Sequence, residues 1–353
     1  MLKYIFCAFL ALAIPTSAFA DYTLVVPQKP GAGTSQWAAI VAKELGKFTD
    51  EPIKIRHLPG ARDIPGFDKF HEELRFDDKT IMVSHGGNGV SFLQEAVKYN
   101  YLDYDSIGLM NLNIIAGKAK SADFDLDKVR FAAGSGMVPE GLAMTMLLCG
   151  KMSVDEYVRC FKKHVVWAKG MSGSERRLAF RRGELNGSRE NPAAYKKHIA
   201  PNDKAEIWFH HGILQPDGSK SDDPNHPGFQ FEDLYEKKWG EKPSGELYDA
   251  YKLVQSFRDG MQKALWVNKG NPNTEKLRKA LTEMANNPES VAAIQKKVGV
   301  YEWKIGQKGN EHRDILMGFI NADALETLVR FNIEAFGLAS KYKKELLGLV
   351  QKL

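Results

Sequence analysis

Short apolar runs that end in glycine-bearing loops recur through the first half of this chain, each followed by a helical or helix-opening pattern. Residues 23–26 lead through Pro30, Gly31, Ala32, Gly33, Thr34 and Ser35 into a segment whose Trp37, Ile40, Val41, Leu45 and Phe48 share one helical face. Residues 53–56 and 80–84 are further strands, the second running into His85, Gly86, Gly87, Asn88 and Gly89. Residues 129–132 lead into Ala133, Gly134, Ser135 and Gly136, and residues 165–168 into Lys169, Gly170, Met171, Ser172 and Gly173. This alternation predicts an α/β fold. In open α/β sheets, ligands bind at the loops leaving the carboxyl ends of the strands, so these loops are where a site is expected.

The first loop has the chemistry of an anion site. Gly31 and Gly33 let the backbone approach a ligand closely, and Thr34 and Ser35 supply hydroxyls and a cap beside the unpaired N–H groups of the following helix. Helix N-termini attract carboxylates and phosphates for that reason. The loop is not a dinucleotide fingerprint, because Gln36 occupies the place of its third glycine.

At the N-terminus, Lys3 precedes an apolar stretch over residues 4–14, and Ala18 and Ala20 are small residues at the positions a signal peptidase reads. The expected reading is an exported chain cleaved before Asp21, with residues 1–20, including Cys7, removed. About 333 of the 353 residues then remain, enough for two domains. The formal charge of +5 becomes +4 without Lys3, and the basic residues are dispersed among 44 acidic ones. Nothing in that balance supports nucleic-acid binding. Cys149 and Cys160 flank a turn-like Gly150, Lys151, Met152, Ser153 segment; pairing in an oxidising compartment and two buried free thiols both stay open.

Residues 191–245, rich in Pro, Asp, Lys and Gly, read as largely loop, and the chain beyond them as mostly helical. Asn273 or Thr274 can cap one of those helices and Pro288 can open another. Lys169, Arg62 and His85 are candidate ligand-facing groups, each weighed against a solvated or locally neutralised side chain. Trp37 is expected in the core, and Trp167 either walls a pocket or packs within a strand. No catalytic constellation emerges. Neither Gly134, Ser135, Gly136 nor Gly170, Met171, Ser172, Gly173 forms a nucleophile elbow, and the segment from His71 to Arg75 lacks the second histidine of a zinc protease. His210, His211, Asp222, Asp223 and His226 follow no metal-ligand spacing.

Taken in order, Pro30 to Thr34, the segment Leu58, Pro59, Gly60, Ala61, the loop Gly134, Ser135, Gly136, the segment Trp167 to Gly170 and the segment Arg182 to Asn186 resemble the periplasmic solute-binding proteins of tripartite tricarboxylate transporters, the Bug or TctC-like family. Two departures stand out: Ser35 where the family usually has Asp, and Arg62 where it usually has Gly. The resemblance implies a periplasmic-binding-protein fold of type II, with two α/β lobes joined by hinge strands. Residues 21–110 with 261–353 would form the first lobe and 111–260 the second. It further implies a monomeric periplasmic receptor, not an enzyme, that needs no cofactor. Such a receptor captures a small carboxylate and delivers it transiently to membrane transporter subunits. An exported hydrolase or a ligand sensor on the same scaffold is the alternative. Residues expected to face the ligand are Gly31, Ala32, Gly33, Thr34, Ser35, Ser84, His85, Gly86, Gly134, Ser135, Gly136, Lys169, Gly170 and Met171.

Overall fold

The structure, a computed structural model, describes residues 21–94, 96–120, 128–133, 138–215, 217 and 219–337. The leader read in residues 1–20 and the Gly134, Ser135, Gly136 loop therefore lie outside the described residues.

Strands β1 (Tyr22–Val26), β2 (Ile53–His57), β3 (Thr80–His85) and β4 (Tyr104–Met110) alternate with helices α1 (Gly33–Leu45), α2 (Ile64–Glu72) and α3 (Gly86–Gln94). The chain then crosses into β5 (Ile115–Ala119), β6 (Val129–Ala132), α4 (Pro139–Cys149), α5 (Val154–His164), β7 (Val165–Ala168), α6 (Gly173–Arg181) and β8 (Gly187–Glu190). It continues through α7 (Pro192–His198), β9 (Ala205–His210), the short β10 (Ile213–Leu214) and β11 (Lys220–Ser221), α8 (Phe231–Trp239) and α9 (Glu246–Gln255). A π-helical turn (Ser256–Gly260) brings it back to β12 (Lys263–Asn268), α10 (Thr274–Asn286), α11 (Pro288–Val298), β13 (Trp303–Ile305), α12 (Gln307–Gly318) and α13 (Ala322–Glu334).

The first lobe is built on a six-stranded sheet in the order β13-β4-β12-β3-β1-β2. β1 runs parallel to β2 and β3, while β12 inserts antiparallel between β3 and β4. Strand residues alternate between faces, and both faces are covered. Leu24, Val26, Leu265 and Val267 join Trp37 and Leu281 on one side; Val25, Ala264 and Trp266 join Phe67, Tyr101 and Tyr104 on the other.

The second lobe carries an antiparallel sheet in the order β8-β5-β9 and a parallel β6-β7 pair. Ser153 with Glu156 and Ser172 with Glu175 form capping boxes that start α5 and α6. Cys149 and Cys160 are joined by a disulfide across the α4–α5 hairpin, their Cα atoms 6.4 Å apart.

Residues 191–245 hold loop, as expected, together with α7, α8 and the sheet strand β9. Pro192 opens α7 with the Asn191 side chain capping Ala194, and Phe209, Phe231 and Tyr235 are buried, so sparse apolar residues anchor elements that composition alone conceals. The C-terminal helix, expected with the first lobe, packs instead on α5 and α9 of the second. Phe331 and Phe336 meet Phe161 at 5.9 and 4.8 Å between ring centroids, and Phe336 meets Trp167 at 4.4 Å. An apolar stripe goes to whichever surface can cover it.

The lobes meet at the crossings. Leu112 N–H donates to the Asp259 carbonyl (3.1 Å), His211 N–H to Asn113 Oδ1 (3.1 Å) and Asn111 Nδ2 to the Leu214 carbonyl (3.1 Å).

Candidate functional site

Gly31 has φ +82°, a conformation that favours glycine, and turns the chain so that α1 starts at Gly33. The N-cap is Ala32, with no side-chain cap bond. Thr34 and Ser35, expected to cap, lie buried inside the first turn because the helix begins earlier than the hydroxyls. Thr34 has another partner: its Oγ1 accepts from Lys263 Nζ at 3.0 Å, reaching across from β12. Lys263 is 8% exposed, and burial, then the charges of Arg258 and Lys297, push its ammonium down to about 7.

A polar relay braces this loop from below. Gln28 Oε1 accepts from the Thr34 N–H (3.2 Å), and Gln28 Nε2 donates to Asp63 Oδ2 (3.0 Å). His85 Nε2 donates to the same oxygen at 2.7 Å, while His85 Nδ1 accepts from the Gly87 N–H at 3.0 Å. Those partners assign the proton to Nε2. Burial lowers His85, outweighing Asp63, so the imidazole is neutral. Burial works against ionising Asp63, yet the hydrogen bonds donated by His85 and the Gln28 amide hold its carboxyl below the ordinary value. Arg62 and Asp63 have φ of +54° and +61°, consecutive left-handed residues in the turn that aims Asp63 at His85. Arg62, in the position where the resembled family has glycine, thus retains a glycine-like backbone.

Where the crossings converge, a second set of charged groups collects. Arg189 on β8 donates from Nε to Glu140 Oε1 on α4 (2.9 Å), both side chains being buried. Arg258 lies on the π-helical turn against α3, where a Cβ on Gly86 would collide with its carbonyl oxygen and Nη1. Arg258 Nη1, Arg189 Nη2, His211 Nε2, Glu140 Oε2 and both Asp259 carboxylate oxygens are buried without a hydrogen-bond partner among the described residues. Burial pushes Asp259 up to about 8, against the opposing pull of Arg258, and His211 down to about 3. Near neutral pH the former is therefore an acid that can donate, and the latter is uncharged.

The remaining expected residues lie apart from these two clusters or serve other bonds. Ser84 is fully buried, its Oγ accepting from Trp266 Nε1 at 2.7 Å. Gly86 opens α3, and its N–H donates to Gln262 Oε1 at 3.3 Å. Lys169 is exposed and donates to the Gly337 carbonyl (2.8 Å); Gly170 has φ +80°, and the Met171 carbonyl accepts from Arg176 Nη1 (3.0 Å). Trp37 is core, and Trp167 stacks with Phe131 at 5.4 Å within the aromatic cluster under α13. His210 and His211 are buried, not solvated: His210 bonds the His226 carbonyl and Asp222, and His211 bonds the Tyr251 hydroxyl. Sequence reading missed Gln28, Glu140, Arg189, Arg258, Asp259 and Lys263. The charged pair Arg258, Asp259 between the apolar Phe257 and Met261 was the available signal.

No family model matches the sequence, and no curated protein does either. Solved structures do match. A TctC solute-binding protein from Polaromonas superposes with TM-score 0.54 at 14% identity, covering 87% of this chain and 99% of its own. The fold is that of the two-lobe periplasmic binding proteins. Rpa4515 of R. palustris, solved with adipate, gives TM-score 0.55 at 11% identity over 90% of this chain and 96% of its own. MatC from Rhodopseudomonas palustris, with bound malate, gives 0.52 at 15% identity over 89% and 98%.

Proposed function

We propose that the protein is a periplasmic solute-binding receptor that captures a small carboxylate between its lobes and releases it, unchanged, to transporter subunits in the membrane. The observation that carries this reading is Lys263, a buried ammonium directed at the first turn of α1, so that a side-chain cation and the N–H groups of a helix N-terminus create one positive field. The relay from Gln28 through Asp63 to His85 holds that turn in place and adds no cationic group of its own. Similar folds hold malate and adipate, which agrees with an anionic ligand.

The same reading makes the chain a member of the tripartite tricarboxylate (Bug or TctC-like) family, exported after cleavage before Asp21. It sets the lobe boundaries near residues 111 and 260, apart from the C-terminal helix. In it, Gly31 to Ser35 and His85 face the ligand from the first lobe. No helix among the described residues is long and apolar enough to cross a membrane.

The test is a thermal-shift screen with malate, succinate, glutarate and adipate, followed by chromatography of the recovered ligand. At 100 times the dissociation constant, stabilisation of about 2.7 kcal/mol is expected, with the ligand recovered intact. Gly33→Val, which crowds the backbone donors, abolishes the shift while the apo protein still melts cooperatively. A library without any shift, or a ligand consumed on incubation, overturns the reading.

A further inference from the structure

We propose that residues 222–230 form a strap that fastens the two lobes to each other outside the chain crossings and restrains their rotation. The inference goes beyond the receptor reading and holds whichever ligand the protein takes.

Both ends of the strap belong to the second lobe. Before it, Lys220 of β11 is held by Glu232 of α8 at 2.5 Å; at its end, Gln230 bridges His210, the last residue of β9. The His210 N–H donates to the Phe229 carbonyl (2.8 Å), and its Nε2 bonds the His226 carbonyl (2.9 Å) and Asp222 Oδ1 (3.0 Å). Tyr195 of α7 meets the His226 ring at 5.7 Å between centroids. These anchors leave residues 223–225 as the tip.

The tip is fastened to the first lobe. Gly299, Val300 and Tyr301 make the turn between α11 and β13, the edge strand of the six-stranded sheet. The Tyr301 hydroxyl donates to Asp223 Oδ2 at 2.7 Å, and both residues are buried. Beside this bond the Asn225 side chain pairs with both backbone groups of Val300. The Val300 N–H donates to Asn225 Oδ1 (2.9 Å), and Asn225 Nδ2 donates to the Val300 carbonyl (3.4 Å). Gly299, with φ +103°, makes room for the amide, since a Cβ there would stand 3.0 Å from Asn225 Oδ1.

The strap is stiff enough to transmit a pull. Asp222 Oδ2 accepts from the Gly228 N–H (2.6 Å), and Asp223 Oδ1 accepts from the Asn225 N–H (2.7 Å) and Nδ2 (3.0 Å). Pro224 and Pro227 fix two further φ angles. A buried carboxylate is tolerated only while its donors stay in place. Asp223 draws one of its donors, Tyr301, from the other lobe, so rotation that parts the lobes there strips a buried acid of a partner. The crossings are covalent and can only bend. The strap is a non-covalent tie, 78 residues in sequence from its fastening, and can be undone.

The experiment is hydrogen exchange resolved to single amides at pH 7, without ligand, comparing wild type with Tyr301→Phe and Asn225→Ala. The amides read are Val300 at the fastening, Leu112 at the crossing, whose N–H donates to the Asp259 carbonyl, and those of β1 within the first lobe's sheet. Leu112 exchanges about 10-fold or more faster in Tyr301→Phe, the factor for losing a bond to a carboxylate, and about threefold or more faster in Asn225→Ala. The β1 amides keep their rates to within about twofold in both. Acceleration at Val300 but not at Leu112 shows a fastening with only local effect and overturns the proposal. Equal acceleration at Leu112 and in β1 is a loss of global stability and overturns it too, as do unchanged rates at both Val300 and Leu112. Should Tyr301→Phe fail to fold, Asn225→Ala decides alone. None of these results bears on the receptor reading, which has its own screen.

Discussion

Replacing Lys263 with Met isolates the buried ammonium that defines the anion position. In the unfolded chain this lysine holds its proton to near 10.5, whereas burial, with Arg258 and Lys297, brings it down to about 7 in the folded protein. Between those values the unfolded state binds more protons, so stability rises with pH, at about 1.4 kcal/mol per unit where the difference is one proton. From pH 7 to pH 9 the integrated gain is about 2 kcal/mol. With an unfolding entropy of about 2.1 cal/mol/K per residue, that is a rise in Tm of about 3 °C for a chain of this size. Methionine has nearly the same reach, no charge and no such slope. Calorimetric melting of both proteins at pH 7, 8 and 9 therefore shows Lys263→Met most favoured at pH 7, with its advantage shrinking by about 3 °C at pH 9. Asp259, pushed up to about 8, also titrates in this window, but it is present in both proteins and cancels in the difference. A bound carboxylate restores the lysine's affinity for its proton, so titration of wild type at pH 8 in buffers of different ionisation enthalpy shows proton uptake that the variant lacks. Parallel Tm curves, agreeing to within about 0.5 °C from pH 7 to 9, would refute the argument that Lys263 is a strained cation.

Two further outcomes test the frame around the site. The Cys149–Cys160 disulfide closes a loop with a sequence separation of 11, so Cys149→Ser with Cys160→Ser lowers unfolding free energy by about 3 kcal/mol in denaturant titration, and alkylation of unreduced, unfolded wild type labels neither thiol. Arg62→Gly removes the penalty of a left-handed non-glycine residue at φ +54° and is neutral to about 1 kcal/mol stabilising; a loss above about 1 kcal/mol shows that the Arg62 side chain contributes more than its backbone strain costs.

Local chemistry made the architecture legible. β6 and β7 have the expected bounds, and β1, β2 and β3 extend them by one residue, because apolar runs cut off by glycine can satisfy their backbone only as short strands leading into helices. Pro288 opens α11 with the Asn287 cap, as its position in the sequence implies. The first loop was legible as a tight turn into a helix, since Gly31 and its neighbours act within a few residues of one another. What the loop touches was not. Lys263 lies 229 residues from Thr34, and Arg189 lies 49 from Glu140; such pairs exist only after β12 has inserted between β3 and β4 and the lobes have met. The same holds for Lys169, drawn to Gly337 by the packing of α13 on the second lobe, and for His211, which is buried at the crossing. Patterning and turn chemistry are short-range and survive in one dimension. The burial that shifts Lys263 and Asp259, and the partners that remain for Arg258, depend on neighbours that only the folded chain supplies.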